Sequence, residues 1–154
     1  MRLHLCAVGR LRGGPERELV DDYLTRFART GRAQGLGPVQ EHEVTARGGM
    51  AGEAAALGRA IPRGALTCVL DERGKALSSP DFAALLARWR DAGRADAALV
   101  IGGADGLDRE LVARADFRLS LGPMVWPHML VRVMLAEQLY RAAAILAGTP
   151  YHRA

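Results

Sequence analysis

Short apolar runs and segments of helical periodicity alternate along this chain from one end to the other. Five apolar runs, of which the second is the weakest, predict β-strands over residues 3–8, 39–44, 66–70, 97–101 and 117–121. Helices are predicted over residues 15–29, 50–61 and 79–92, over a short stretch that Asp108 caps, and over residues 127–147. The hydroxyl of Ser79 is the predicted cap of the third helix, ahead of Pro80 and Asp81. Because strictly alternating elements require parallel strands, the pattern predicts an α/β fold, with a parallel sheet and helices on both of its faces.

The last predicted helix is apolar around most of its circumference. Such a helix has to be buried on more than one side, and the sheet of a small domain can cover only one of them. We therefore predict a homodimer formed through this C-terminal helix. The polar residues of this helix are His128, Arg132, Glu137, Gln138 and Arg141. Within two pairs, His128 with Arg132 and Glu137 with Arg141, the residues are four positions apart and so share a face of the helix. Surface pairing is the plain interpretation, but charges within a buried helix are costly unless they are matched or functional.

Three predicted strand ends indicate a ligand pocket. They are Leu70-Asp71, Ile101-Gly102-Gly103 and Leu121-Gly122-Pro123. In open parallel sheets, ligands bind at the carboxyl ends of the strands. The chain has no Gly-rich phosphate loop with a Lys-Ser or Lys-Thr end, and residues 9–12 after the first strand do not form a dinucleotide fingerprint. The strand ends therefore predict a small-molecule pocket lined by backbone.

Composition bounds the class of protein. With 154 residues, 49% of them hydrophobic and 25% charged, the chain is expected to form one globular domain over residues 1–154. No apolar stretch approaches the roughly 20 residues that span a bilayer, and no cleavable leader is recognisable, so we expect a cytoplasmic protein with no membrane partner. Cys6 and Cys68 lie in predicted buried strands, which favours buried thiols over a disulfide, and no zinc or other metal is expected.

Charge adds a weak indication of a nucleic-acid partner. The formal net charge is +4 at pH 7. Six of the seven arginines in the first 32 residues crowd into residues 10–32, namely Arg10, Arg12, Arg17, Arg26, Arg29 and Arg32. From charge alone, a solvated helix face is the favoured interpretation of this cluster.

Separate motifs spread over the whole chain resemble those of one family. They are residues 7–9, 70–75, 101–107, 119–124 with Pro127-His128, Arg132, 135–142 and 151–153. On these residues the chain resembles the RlmH family, SPOUT-class enzymes that methylate N3 of a pseudouridine in large-subunit (23S) ribosomal RNA. The resemblance implies a trefoil-knotted α/β fold, S-adenosylmethionine as cofactor, and a substrate within the assembled ribosome.

The resemblance also implies where the cofactor is held. Its contacts fall on Leu70, Gly102, Leu121, Gly122, Pro123, Met124, Val125 and Trp126. Glycines let the backbone approach adenosine closely, and Leu70, Leu121 and Met124 can supply apolar walls. Members of the family often carry hydroxyl residues where this chain has Gly122 and Val125, and Trp126 is bulkier than the usual residue.

Catalytic and substrate-binding candidates lie on the C-terminal helix and the tail that follows it. The acceptor nitrogen carries a proton that has to leave, and the catalytic candidates are His152, Glu137, Arg141 and Tyr151. His152 and Glu137 could accept this proton or orient the base that does. The substrate-binding candidates are His128, Arg132 and Arg153, because arginines pair with phosphates or uracil carbonyls, and Tyr151 can stack on a base.

Two alternatives stay open at this point. The nearer one is a SPOUT methyltransferase that acts on another RNA, such as tRNA. The farther one is a non-catalytic α/β module that binds a nucleotide or nucleic acid. Binding of S-adenosylmethionine distinguishes an enzyme from the non-catalytic module. Competition between tRNA and ribosomes as substrates distinguishes a tRNA methyltransferase from a ribosomal RNA methyltransferase.

Overall fold

The fold is a five-stranded parallel sheet with the strand order β2-β1-β4-β3-β5, seen in a computed structural model that describes residues 1–153. The strands are β1 (Arg2–Val8), β2 (Val39–Val44), β3 (Leu66–Ala76), β4 (Asp96–Ile101) and β5 (Phe117–Ser120). The helices are α1 (Pro15–Gly31), α2 (Gly49–Ala60), α3 (Ser79–Asp91), α4 (Arg109–Arg114) and α5 (His128–Ala147), with a 3₁₀ turn over Arg32–Gln34. The predicted α/β class and the alternation of elements are confirmed. The knot that the resemblance implies stays a prediction.

Helices cover both faces of the sheet because strand side chains alternate between two apolar clusters. Leu3 and Leu5 point into the cluster formed with α1, α3 and α5, where they meet Phe27. Cys6 and Val8, the alternate residues of the same strand, pack with α2 and α4. The sheet is therefore buried from both sides, as a parallel sheet requires.

Both cysteines are buried thiols, as the sequence predicts. Cys6 and Cys68 are fully buried in the two clusters, and neither forms a disulfide. Burial raises the pKa of each thiol to about 12, because the apolar surroundings disfavour the thiolate.

Two local features differ from the prediction. The cap of α3 is Ser78, not Ser79, and the Ser78 hydroxyl accepts a hydrogen bond from the Asp81 amide at 3.2 Å. β3 extends past Leu70 to Ala76, with an irregularity in which Leu70 and Lys75 both face Leu119 of β5. The intervening residues leave the ladder, which is why the apolar pattern stops before the strand does.

Much of α5 is covered from within the chain. It packs against α1 and α3 as well as the sheet, so Leu135, Leu139 and Ala143 are fully buried. The premise that only the sheet could cover this helix is wrong, because two neighbouring helices flank it on the same face. Only its N-terminal end and the preceding loop expose large apolar side chains, which are Met124, Val125, Trp126, Met129 and Leu130.

No helix within residues 1–153 combines the length and the apolar character needed to cross a bilayer. The same residues contain no cluster of three side chains arranged to hold a metal ion.

Candidate active site

The three strand ends that the sequence singles out meet at one edge of the sheet. β3 lies between β4 and β5, with Val69 facing Val100 and Leu70 facing Leu119. All strands are parallel, so their carboxyl ends open on the same side. Leu70, Gly102 and the loop after β5 are therefore neighbours in space although they are far apart in sequence.

The loop after β5 begins with a conformation that favours glycine. Gly122 has a φ of 110°, and nothing lies within 4 Å of the position where a Cβ would stand. The buried Ser120 hydroxyl accepts a hydrogen bond from the Gly122 amide at 3.1 Å and lies at the same distance from the Glu72 carbonyl oxygen. One hydroxyl thus ties the start of this loop to the irregular part of β3.

Gly102 is required for a different reason. A Cβ on Gly102 would lie 2.7 Å from the backbone carbonyl of Gly106, too close for any side chain. Gly103 and Gly106 form a β-bridge that closes this tight turn after β4. Gly102 therefore presents backbone at the strand end, where any side chain would break the turn.

A cavity of about 540 Å³ extends from this edge of the sheet along α5. Leu121 and Gly122 line it, as do Tyr23 of α1 and Glu137 and Gln138 of α5. Its volume lies within the roughly 300–1,000 Å³ of small-ligand sites, and its walls are apolar side chains, backbone and a few polar groups. The residues present thus fit a ligand with both apolar and polar parts. Leu70 and Gly102 lie beside this cavity and do not line it.

The rest of the predicted cofactor loop lies outside the cavity. Val125 is 82% exposed and Met124 is 67% exposed, and Pro123 and Trp126 are exposed as well. The structure therefore separates the start of the loop, which lines the cavity, from an apolar segment that is open to solvent.

The four catalytic candidates form one hydrogen-bonded cluster at the far end of α5. Oε1 of Glu137 accepts hydrogen bonds from Arg141 Nε at 2.9 Å, from Arg141 Nη2 at 2.5 Å and from the Tyr151 hydroxyl at 2.9 Å. Its Oε2 accepts another from Gln138 at 2.8 Å. His152 Nδ1 lies 3.3 Å from Arg141 Nη1. Because Gly148 ends α5 in a left-handed turn, the chain doubles back and brings Tyr151 and His152 onto the helix.

The cluster fixes which of these groups donate protons and which accept them. Burial, followed by the hydrogen bond to Glu137, raises the pKa of Tyr151, so its phenol stays protonated and donates. The Glu137 hydrogen bond, against some desolvation, raises the pKa of Arg141. Since a guanidinium can only donate, a hydrogen bond between these two side chains needs His152 Nδ1 as its acceptor, and the tautomer that allows this carries its proton on Nε2. His152 thus offers an N–H to whatever lies beyond it.

The substrate-binding candidates lie in three different settings. His128 is half-buried at the start of α5, and Arg153 is exposed at the end of the tail. Arg132 is only 1% exposed and forms an ion pair of 2.5 Å with Glu43. Its Nη2 also donates to the Gly9 carbonyl oxygen at 3.0 Å. The expectation that Arg132 contacts RNA is wrong for this fold, because the guanidinium is enclosed and already paired.

Three residues beside the cluster are not among the site residues that the sequence suggests. Tyr23 and Tyr140 stand beside the cluster, with the Tyr140 and Tyr151 ring centres 4.5 Å apart. The Arg26 guanidinium lies about 6 Å from both the Tyr23 and the Tyr140 ring. The helical spacing of Tyr23 predicts a core residue, and only the packing of α1 on α5 places it at the site.

One family accounts for nearly the whole sequence. The family described as "Predicted SPOUT methyltransferase" matches residues 1–152. Two relatives named "Ribosomal RNA large subunit methyltransferase H" match along their full length. The protein of Roseobacter denitrificans is 72% identical and that of Dinoroseobacter shibae 68% identical, each over 99% of both chains.

Solved structures share the fold at much lower identity. A probable methylase family protein from Haemophilus influenzae Rd KW20 gives a TM-score of 0.51 at 13% identity, over 99% of this chain and 70% of that one. A probable methyltransferase from Bordetella pertussis Tohama I gives 0.51 at 16% identity, over 92% and 96% of the two chains. These likenesses concern the architecture alone.

Proposed function

This chain belongs to the SPOUT methyltransferase family, and from that premise we propose that it methylates N3 of a pseudouridine in large-subunit ribosomal RNA. Methyl transfer and dependence on S-adenosylmethionine follow from membership of the family. The observation that carries the choice of substrate is the full-length match to relatives named for the large ribosomal subunit. The position on the base and the need for an assembled ribosome are proposals that the RlmH resemblance supports.

The cofactor site is assigned to the edge formed by the ends of β3, β4 and β5. When bound, S-adenosylmethionine supplies a methyl group activated by the positive sulfur to which it is attached. Backbone at Gly102 and Gly122 would contact it, and Leu70 and Leu121 would supply apolar walls. Gly122 leaves open space where the family often has a hydroxyl residue, so backbone groups have to make the polar contacts at that position.

The cluster at the end of α5 is assigned to the acceptor base. Of the two proton acceptors that the sequence suggests, Glu137 already accepts four hydrogen bonds, one pair of them from a guanidinium, so both of its oxygens are engaged in holding Arg141, Tyr151 and Gln138. In the tautomer that accepts from Arg141, His152 presents Nε2–H, which can donate to a uracil carbonyl oxygen and so favour transfer of the neighbouring imide proton to a solvent water molecule. Arg141 holds the imidazole in that orientation. Tyr151 offers a ring face for stacking, and Arg153 an exposed guanidinium for phosphate.

We also propose that a second copy of this chain covers the exposed apolar segment. Met124, Val125 and Trp126 lie next to Met129 and Leu130 in the chain, and all five are exposed. An exposed apolar patch of this kind is typical of a protein interface. Light scattering should give the mass of a dimer, and Leu130→Arg should shift it toward the monomer. Met50→Arg, an equally exposed residue on α2, is the control that should leave the mass unchanged.

The experiment that tests the function uses labelled S-adenosylmethionine. The purified protein is incubated separately with tRNA, naked large-subunit rRNA and ribosomes from cells that lack this methylation. Label confined to the large-subunit rRNA of ribosomes, and mapped to N3 of a pseudouridine, is the expected result. Label in tRNA would contradict the proposed ribosomal substrate. Absence of both label and cofactor binding would favour the alternative of a non-catalytic module.

A further inference from the structure

The loop between β1 and α1 presents two arginines on either side of a buried anchor. Leu11 is only 8% exposed and packs against Val20 and Ala136. Arg10 and Arg12 are both exposed, and neither forms an ion pair or a side-chain hydrogen bond within residues 1–153. The alternation therefore directs two guanidinium groups outward from a fixed point.

A buried ion pair holds this loop in place. Glu43 Oε2 accepts a hydrogen bond from the Leu11 amide at 2.7 Å and another from Arg132 Nη1 at 2.5 Å. Arg132 in turn donates to the Gly9 carbonyl oxygen. Two elements distant in sequence, β2 and α5, thus fix the backbone on both sides of Arg10. A loop held in this way loses little conformational entropy when its side chains bind a partner.

A third arginine stands on the neighbouring loop. The Gly9 amide donates to the Val44 carbonyl oxygen at 2.8 Å, so the ends of β1 and β2 leave the sheet side by side. Arg47 follows β2 by three residues, is exposed and has no ion pair in the described part of the chain. We call Arg10, Arg12 and Arg47 the basic edge. Glu16, the second residue of α1, forms an ion pair with none of them.

The basic edge lies next to the proposed cofactor site. β1 is hydrogen-bonded to β4, with Ala7 facing Ile101, so the loop at Gly9 and the turn at Gly102 leave the same side of the sheet. His128 Nε2 lies 3.7 Å from the position of a Cβ on Gly9, which brings the first turn of α5 against the arginine loop. The loop of residues 121–126 ends just before that turn.

We propose that the basic edge binds phosphates of the RNA strand that flanks the target nucleotide. This inference rests on the proposed function, since it gives the RNA a second contact at the site assigned above. Exposed guanidinium groups without acidic partners release counterions when they meet phosphate, and such contacts supply affinity without reading sequence. Sequence then has to be read elsewhere, at the target base or through the shape of the RNA.

The test is binding of large ribosomal subunits by a charge-reversed variant, measured across a series of salt concentrations. Arg10→Glu/Arg12→Glu is compared with Arg59→Glu/Arg63→Glu, which reverses two exposed arginines at the opposite edge of the sheet. We expect the first variant to bind about 30-fold more weakly than the wild type, and its salt slope to fall by about 1.5. Both variants should keep the wild-type affinity for S-adenosylmethionine.

The outcomes separate this inference from the proposed function. Equal affinity and equal salt slope in the two variants would overturn the basic edge as an RNA contact, whatever the wild type methylates. Wild-type protein that binds the subunits without methylating them would overturn the proposed function, and the comparison of variants would still decide the inference. Failure of the wild type to bind the subunits at all would overturn the inference as well.

Discussion

Helix α5 contributes an arginine to each of two arginine–glutamate ion pairs, which have the same chemistry and different surroundings. Arg132 and Glu43 join the helix to β2 inside the protein, where Arg132 is 1% exposed. Arg141 and Glu137 are four residues apart on one helix, and both keep part of their surface beside the cavity. The first pair is enclosed and holds backbone in place, whereas the second holds groups that a substrate can reach. The comparison teaches that a charge in an apolar helix can be assigned only when its partner and its exposure are known.

Deletion of residues 151–154 should have the largest effect, because it removes the aromatic ring and the imidazole that Glu137 and Arg141 position. We expect methylation to fall by at least about a thousandfold, within the range that loss of positioned groups causes. The affinity for S-adenosylmethionine should stay within about twofold, as measured by calorimetry. Full activity in the truncated protein would show that the tail is not part of the active site.

Glu43→Gln should destabilise the fold most among single changes at these pairs. It leaves the buried Arg132 guanidinium without its counter-charge, and breaking a buried pair costs about 3–5 kcal/mol. The lower end of that range is expected, since Glu43 keeps a quarter of its side-chain surface. Urea unfolding gives the free energy, and a loss no larger than that of Glu137→Gln would contradict the contrast between the pairs.

Glu137→Gln should change stability little and activity strongly. Its partners are half-buried and can turn to water, so the free energy of unfolding should fall by only about 1 kcal/mol. We expect kcat to fall by about 10- to 100-fold, because Arg141 and Tyr151 lose the carboxylate that orients them. An unchanged kcat together with a large loss of stability would make this pair structural too.

The smallest expected effect is a change with pH in the stability difference between the wild type and Glu43→Gln. Burial by itself would raise the pKa of Glu43, but the hydrogen bonds from the Leu11 amide and Arg132, together with the charges of Arg132 and Arg17, outweigh it and leave the pKa below its ordinary value. A carboxylate with a lowered folded-state pKa contributes stability above its unfolded pKa of about 4.3, and that contribution is lost as the pH falls through the folded value. The stability difference between wild type and Glu43→Gln should therefore narrow below about pH 4, as measured by urea unfolding at each pH. A constant difference would mean that Glu43 does not titrate differently in the folded protein.

The local sequence pattern was enough to predict the helices and strands, but it could not predict which distant side chains pair with each other. Period-two and period-3.6 spacing identify the strands and helices within a few residues, and a parallel sheet follows from their alternation. The Arg132–Glu43 pair joins residues 89 positions apart, which no local pattern records. Likewise, the apolar pattern of β3 stops at Leu70 because the strand leaves its ladder there. The resemblance supplied the site residues, and the structure shows which of them lie together.

The two buried cysteines make the chain suitable for chemical labelling. Burial raises the pKa of both thiols to about 12, so both stay protonated at pH 8, and both are enclosed by the core. A single cysteine introduced in place of Arg153 would be the one thiol open to a maleimide dye. The dye would report the approach of the tail to RNA without any need to remove the native cysteines.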